Sequence, residues 1–282
     1  MKVCIIIPVY NEEAYLEKML RSLVEQTFRP HKIVIVNDSS TDHTQNIIDS
    51  FVEKYTNFES VISNSKAEHE PGSKVVNAFY KGFETLKLDF DLIGKFDGDI
   101  ILPKDYIEKT ITLFTSDKQV GIAGGNLYIE DKGTWIYEAI SEKDKVRGPI
   151  KLYRRECFNM IGGLKRSIGW DTVDELLAKY HGWKVVTDPS LHVKHLKPTG
   201  KVYSKASKYK QGEAFYKMRY GILLTQIASA KLALKKNDFS FYFDCIRGFN
   251  KAKRRNLPLI VSEEEGEFIR NLRWEGIKKK IL

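Results

Sequence analysis

Two aspartates separated by a single glycine, Asp97-Gly98-Asp99, follow directly on the run Leu92-Ile93-Gly94-Lys95-Phe96. A short apolar run bounded by turn residues predicts a buried strand of an open α/β sheet. The C-terminal end of such a strand is where these sheets bind their ligands. The intervening glycine lets the backbone turn sharply enough for both carboxylates to serve one ligand. Paired acids in that setting suit a hard divalent cation held against phosphate oxygens. The same spacing recurs in Asp89-Phe90-Asp91, at the opposite end of the strand, where a solvated loop is the expected role. Position, not spacing, separates the two.

The elements that must hold these acids are legible upstream. Val3 to Ile7 is an apolar, β-branched run that opens a first strand, ended by Pro8-Val9-Tyr10-Asn11-Glu12-Glu13. Leu16, Met19, Leu20 and Leu23 then recur at helical spacing and give one apolar face. A second strand, Lys32 to Val36, stops at Asn37-Asp38-Ser39-Ser40-Thr41-Asp42. Ser40 or Thr41 is expected to cap the following helix, with Ile47, Ile48 and Phe51 on its buried face. Strand, helix, strand, helix, strand is the alternation of a parallel, doubly wound sheet. Residues 8–12, 37–42 and 97–99 would then open onto one edge. Turn chemistry explains any one of these acidic loops, but not all three together.

Pro8-Val9-Tyr10-Asn11-Glu12, Val36-Asn37-Asp38-Ser39-Ser40-Thr41-Asp42 and Asp97-Gly98-Asp99 resemble, in order and context, the nucleotide-sugar motifs of family-2 inverting glycosyltransferases with the GT-A fold. The resemblance runs from about residue 1 to 200. It implies an α/β fold of GT-A type, a doubly wound, mostly parallel central sheet flanked by helices. Pro8 and Asp38 would line the nucleobase pocket, with Tyr10 and Glu12 in the same motif. Asp97 would face ribose and sugar, and Asp99 would bind a divalent metal, Mn²⁺ or Mg²⁺, that bridges the diphosphate. Lys95 and Lys74 are further candidates for diphosphate or sugar, against a solvated-surface reading for each. Arg154 or Arg155, after Gly148-Pro149, would suit phosphate through the guanidinium fork, or would form a basic strand end.

The acceptor side is expected in Gly169-Trp170-Asp171-Thr172-Val173-Asp174-Glu175, which leads into a helix carrying Leu176, Leu177 and Tyr180 and ending at Gly182. In the family, a Glu-Asp pair heads this helix and its Asp is the catalytic base. Counting back from Gly182-Trp183, which matches the family's Gly-Tyr, puts Asp171 on that base and Trp170 on the Glu, a departure from the pattern. Asp174 is the rival base if the helix is shifted by a turn, and Asp171 also reads as an N-cap. The same register puts His195 on the family's metal-binding or diphosphate-contacting histidine. His192, on the same strand, is expected to share its face.

In such a transfer the leaving diphosphate gains negative charge that a metal stabilises, and the acceptor hydroxyl loses its proton to a carboxylate. The implied partners are a nucleotide-diphosphate sugar and a glycan or lipid-linked acceptor, in cell-surface or exopolysaccharide glycan assembly. The net charge of +9 over 282 residues favours anionic partners. No helix-turn-helix, RNP or zinc-finger pattern supports nucleic acid. A nucleotidyltransferase would show a Gly-rich basic loop after the first strand, and a dehydrogenase G-x-G-x-x-G. A nucleotide-sugar-binding protein without catalysis is the non-enzymatic alternative.

The three cysteines, Cys4, Cys157 and Cys245, are far apart, which favours a reducing compartment. Met1 to Val9 is too short for a signal peptide. The stretch Ile222 to Leu234 is broken by Gln226 and Lys231, so no membrane-spanning helix is expected. A cytoplasmic protein, peripheral at the inner face of the membrane, is the expectation. Domains are expected at 1–200, catalytic, and 201–282, a helical extension. Within the extension, Lys205 to Gly212 would be a lid. Phe239, Phe241, Tyr242, Phe243 and Phe249 would pack on the catalytic domain or rest on a membrane surface. A processive synthase is disfavoured, because no Gln-x-x-Arg-Trp motif is present.

Overall fold

A computed structural model describes residues 1–63, 73–87, 89–139, 144–197 and 209–281. The chain divides into two compact units. One comprises the described residues within Met1–Glu68, Lys74–Leu164 and His181–Thr199; the other, those within His69–Ser73, Lys165–Tyr180 and Gly200–Leu282. Residues 165–180 thus group with the C-terminal helices rather than with the rest of the span 1–200.

The first unit is built on one sheet. Strand β1 (Val3–Val9) pairs in parallel with β2 (Lys32–Asn37) and with β4 (Leu92–Phe96), and β2 pairs in parallel with β3 (Phe58–Ile62). Helices α1 (Leu16–Val24), α2 (Thr44–Lys54) and α3 (Ser73–Thr85) are the crossovers. The predicted face of α1 is buried through Leu16, Met19, Leu20 and Leu23. In α2, Ile48 and Phe51 are buried and Ile47 is half-buried. Every residue of β4 is buried, as a central strand covered on both faces requires.

Beyond β4 the sheet is mixed. After β5 (Ile100–Ile101) and α4 (Tyr106–Ser116), β6 (Val120–Asp131) turns into β7 (Thr134–Tyr137), and β8 (Ile150–Arg154) lies antiparallel between β4 and β6. The last strand, β9 (Lys184–His195), runs parallel to β6 and antiparallel to β5. The order is β3-β2-β1-β4-β8-β6-β9-β5, with β7 on β6. The parallel part is therefore β3 to β4. From β8 onward the pairs are antiparallel except β6–β9, which is parallel.

The β6–β9 pairing decides where β9 delivers its side chains. It slips in register between Gly124 and Asn126, where Gly125 alone spans residues 188–191 of β9, and this brings Asn126 opposite His192 and Tyr128 opposite Lys194. A Cβ on Gly125 would stand 2.4 Å from the Leu191 carbonyl oxygen, so only glycine admits this approach.

The second unit is helical: α6 (Trp170–Tyr180), α7 (Lys210–Lys217), α8 (Gly221–Lys236), α9 (Phe239–Arg254) and α10 (Glu263–Ile281); the short α5 (Arg155–Met160) belongs to the first unit. Asp238 caps α9, its carboxylate accepting from the Ser240 and Phe241 amides. The aromatic stripe is split. Phe241 packs with Ala233 and Cys245, and Phe249 against Tyr216, while Phe239 and Phe243 are exposed. Of the expected lid, residues 205–208 lie outside the described residues and 210–212 begin α7. Among the described residues no helix is long and apolar enough to cross a membrane. All three cysteines are buried and free.

Gly125→Ala should destabilise the protein by about 1–3 kcal/mol, the scale of overpacking a well-packed interior. The loss should be visible as a lowered urea midpoint at unchanged slope.

Candidate active site

The ends of β1 and β2 are stapled by side chains that the sequence offers as caps. Asn11, in a left-handed conformation (φ 52°), turns the chain as it leaves β1. Its amide donates to Ser40 Oγ at 3.0 Å, and its Oδ1 accepts from the Thr41 amide at 2.8 Å. The Glu12 amide donates to Thr44 Oγ1 at 2.9 Å, and the Glu13 amide to Asp42 at 3.2 Å. Neither Ser40 nor Thr41 caps α2. Asp42 takes the Thr44 amide at 3.0 Å instead, because the hydroxyls of 40 and 41 are engaged with Asn11. Pro8 and Asp38 lie half-buried at these ends and Tyr10 is exposed.

The end of β4 meets them. A Cβ on Gly98 would come within 2.8 Å of Val9 Cγ1, so the glycine is what allows Asp97 and Asp99 to flank the end of β1. Asp97 is held by the buried ammonium of Lys95. Glu12 accepts from Lys197 Nζ at 2.9 Å through Oε1, while its Oε2 is buried without a partner. Burial pushes the Glu12 carboxyl up; Lys197 opposes this, and the charges of Asp99 and Asp97 add to the rise. Asp99 is 7% exposed, and its Oδ1 is likewise buried without a hydrogen-bond partner.

The β5–β9 pairing sets Ile100 opposite His195, and the Leu196 amide donates to the Asp99 carbonyl at 2.8 Å. The imidazole is buried, with Nε2 3.6 Å from Asp99 Oδ2 and Nδ1 2.9 Å from Glu138 Oε2. Arg147 donates to the same Glu138 oxygen at 2.6 Å. Burial alone would lower the His195 pKa, but its bonds to Asp99 and Glu138 outweigh that and hold it up at about 9. Among the described residues no three His, Cys, Asp or Glu side chains converge as a ready-made metal cage. The unsatisfied Asp99 oxygen beside His195 is nevertheless what a cation completed by substrate oxygens would need.

Other predicted residues fall elsewhere. Arg154 lies opposite Leu92, at the start of β4, about 13 Å along the strand from its acidic end at the usual rise per residue. It donates to the Val120 and Phe114 carbonyls at 2.8 and 2.6 Å and rests on the Phe114 ring, so it ties down α4 rather than meeting phosphate. Arg155 donates to Asp89, and Asp91 accepts from the Lys2 amide, so the acids of Asp89-Phe90-Asp91 serve an exposed loop as expected. Lys74 is exposed in the first turn of α3. His192 does not share the face of His195: three residues apart on a strand, they point oppositely. His192 stacks on Tyr128, 4.2 Å between centroids, and with Lys194, Lys18, Arg21 and Lys104 lines a separate basic groove.

In the helical unit, α6 starts at Trp170, so Asp171 is inside the first turn and is not the N-cap; the Thr172 and Val173 amides bond the Gly169 carbonyl. Asp171 is exposed, whereas Asp174 is 1% exposed and accepts from the Glu175 amide at 2.6 Å. Sequence reasoning missed Lys197, Glu138 and Arg147. Lys197 lies two residues beyond a nominated histidine; Glu138 carries no motif at all.

Residues 4–166 match the family model for glycosyl transferase family 2. Glycosyltransferase GlyA of Streptococcus pneumoniae serotype 4 is 29% identical over 159 residues, 54% of this chain and 21% of that protein. The beta-monoglucosyldiacylglycerol synthase of Synechocystis is 22% identical over 204 residues, 65% of this chain and 41% of that protein. The chain thus spans less than half the length of both relatives. Among solved structures, the mannosyltransferase PcManGT of Pyrobaculum calidifontis, in complex with GDP-Man and Mn²⁺, superposes with TM-score 0.58 at 15% identity, covering 98% of this chain and 80% of that one. S. aureus TarS 1–349 in complex with UDP gives 0.55 at 18%, covering 78% and 64%. These likenesses show the fold, the GT-A-type α/β arrangement.

Because the folded His195 pKa of about 9 exceeds the ordinary 6.5, its stabilising contribution is complete below about pH 6.5 and is lost as pH rises through about 9. In metal-free protein, the stability difference between wild type and His195→Gln should therefore shrink from pH 6 to pH 10. Urea unfolding across that range measures it; a constant or growing difference contradicts the assignment.

Proposed function

The chain belongs to glycosyl transferase family 2, and from that membership we propose that it moves a single sugar from a nucleoside diphosphate to a hydroxyl acceptor, with inversion at the anomeric carbon. The observation that carries the reading is the buried, unpartnered Oδ1 of Asp99, set where the ends of β1 and β4 meet and beside His195. A divalent cation would be held there by Asp99 and His195, with diphosphate oxygens completing its ligands. When bound, it supplies Lewis-acid stabilisation of the leaving diphosphate. The Mn²⁺ and GDP-Man of the PcManGT complex support this choice of cofactor and donor class.

The chain's own groups divide the remaining work. Pro8, Tyr10 and Asp38 flank the nucleobase side, and Asp97, fixed by Lys95, faces ribose and sugar. Glu12 orients Lys197 at the edge of the cluster, where an ammonium can follow the charge that develops on phosphate. Lys74, at the start of α3, is a further diphosphate contact. The acceptor oxygen forms its bond to the anomeric carbon as the bond to the diphosphate oxygen breaks. Its proton passes to the carboxylate of Asp171. Exposure in the first turn of α6 favours Asp171 over Asp174, whose buried carboxylate is engaged by its own helix backbone. The acceptor is a glycan or lipid-linked hydroxyl, in cell-surface or exopolysaccharide assembly, reached from the cytoplasmic side by a catalytic domain spanning about 1–200. The exposed Phe239 and Phe243 support peripheral contact of the 201–282 extension with the membrane.

Asp99→Ala should abolish Mn²⁺-dependent donor binding and leave the circular dichroism spectrum unchanged. Titration of a nucleotide-sugar panel with and without Mn²⁺ reads this, and undiminished Mn²⁺-stimulated binding would sink the metal assignment. Asp171→Asn should keep donor and metal affinity and lose transfer by roughly 10²-fold or more, the scale of general-base catalysis. If Asp174→Asn shows that profile instead, the base lies one turn further along α6.

A further inference from the structure

We propose that Glu138 is the positioning residue of the site: it fixes the ring of His195 so that Nε2 is presented beside Asp99. The inference rests on the reading of Asp99 and His195 as the donor-side pair. No sequence motif marks Glu138, and its place follows from the β6–β7 hairpin. Lys132 and Gly133, both with positive φ, turn the chain, and Asp131 pairs with Thr134. The register runs back along β6 to Tyr128 opposite Tyr137, and the Glu138 amide then donates to the Leu127 carbonyl at 2.9 Å. This leaves the Glu138 carboxylate 2% exposed and 2.9 Å from His195 Nδ1.

The chemistry of that contact has one consistent solution. An ionised carboxylate only accepts hydrogen bonds, so the nitrogen facing it carries the hydrogen. In a neutral imidazole the other nitrogen then bears the lone pair. Here that nitrogen is Nε2, the atom 3.6 Å from Asp99 Oδ2. Arg147, 2.6 Å from the same Glu138 oxygen, compensates the buried charge and keeps the carboxylate turned toward the ring. Carboxylates that accept from the far nitrogen of a metal-binding histidine set its tautomer and raise its basicity, and losing one costs roughly 10- to 100-fold in metal affinity. Glu138 touches neither donor nor acceptor in this scheme. It acts through His195.

The test compares wild type with Glu138→Ala and Glu138→Gln. Long-range ¹H–¹⁵N spectra of the imidazoles, recorded on metal-free protein at pH 10 where the ring is neutral, report the tautomer. The His195 signals are assigned by their loss in His195→Gln. Mn²⁺ affinity is read separately by electron paramagnetic resonance in parallel titrations with UDP and with GDP present, so that diphosphate oxygens can complete the cation's ligands. The wild type should show the Nδ1–H tautomer. Glu138→Ala should shift it toward Nε2–H and weaken Mn²⁺ roughly 10- to 100-fold. Glu138→Gln, whose amide oxygen still accepts, should keep the tautomer and most of the affinity. An Nε2–H ring in the wild type, or an unchanged ring and affinity in Glu138→Ala, overturns the proposal. Should Glu138→Ala fail to fold, the wild-type tautomer and the Glu138→Gln pair decide alone. Wild-type protein that binds no Mn²⁺ with either nucleoside diphosphate overturns the donor-site reading instead, while the ring spectrum still decides the role of Glu138.

Discussion

Charge compensation in a crowded acidic corner is the constraint on which the site depends. Asp97, Asp99 and Glu12 lie at the ends of the adjacent strands β4 and β1, and Glu138 joins them through His195 from the end of β7, partly out of water, where like charges repel more strongly than at an open surface. Each is matched. Lys95 holds Asp97, Lys197 holds Glu12, His195 stands between Asp99 and Glu138, and Arg147 closes on Glu138. The unmet valence is Asp99 Oδ1, with Glu12 Oε2 close behind it in character. A folded protein rarely leaves buried carboxylate oxygens unsatisfied without a use for them. Lys95 comes from β4 itself, but Arg147, His195 and Lys197 come from later in the chain, so β8 and β9 are as necessary to the acidic corner as the strands that carry its first acids.

What could be read from the sequence was local. The first two parallel strands, the apolar face of α1 and the buried β4 follow from periods of two and of three to four residues, and they emerged where the pattern placed them. Asp97-Gly98-Asp99 was separable from Asp89-Phe90-Asp91 because strand polarity, not composition, distinguishes their surroundings. The residues that escaped notice depend on long-range register. Glu138 reaches a histidine 57 residues away, and no local pattern encodes such a partner. Arg154 depends on the same kind of register: arginines after Gly-Pro read as a phosphate contact or as a basic strand end, and the antiparallel pairing with β4 favours the second by setting Arg154 at the other end of the strand. Ser40 and Thr41 have the side chains of helix caps, yet a neighbouring loop recruits them. For Asp171 and Asp174 the helix was legible and the choice between them was not, since burial, rather than spacing, sets them apart.

The two units use different devices for order. The first draws its rigidity from a continuous sheet whose central strands are covered on both faces. The second has no sheet among its described residues and relies on capping and helix contact, such as Asp238 at the start of α9 and the Tyr180–Phe268 ring pair between α6 and α10. The proposed base is carried by this helical unit and the proposed donor groups by the sheet.

The register slip between Gly124 and Asn126 also constrains how this lineage can change. Along β9, His195 is buried while His192 and Lys194 face water, an alternation locked to β6 through the second of its two register shifts. Removing or adding a single residue there would exchange the two sets. Lysine would be driven against Glu138, and the imidazole would be turned out to solvent. Insertions and deletions should therefore be purged from this short stretch far more strictly than amino-acid replacements. In a population of descendants the length of β6 should be more faithfully inherited than much of its composition.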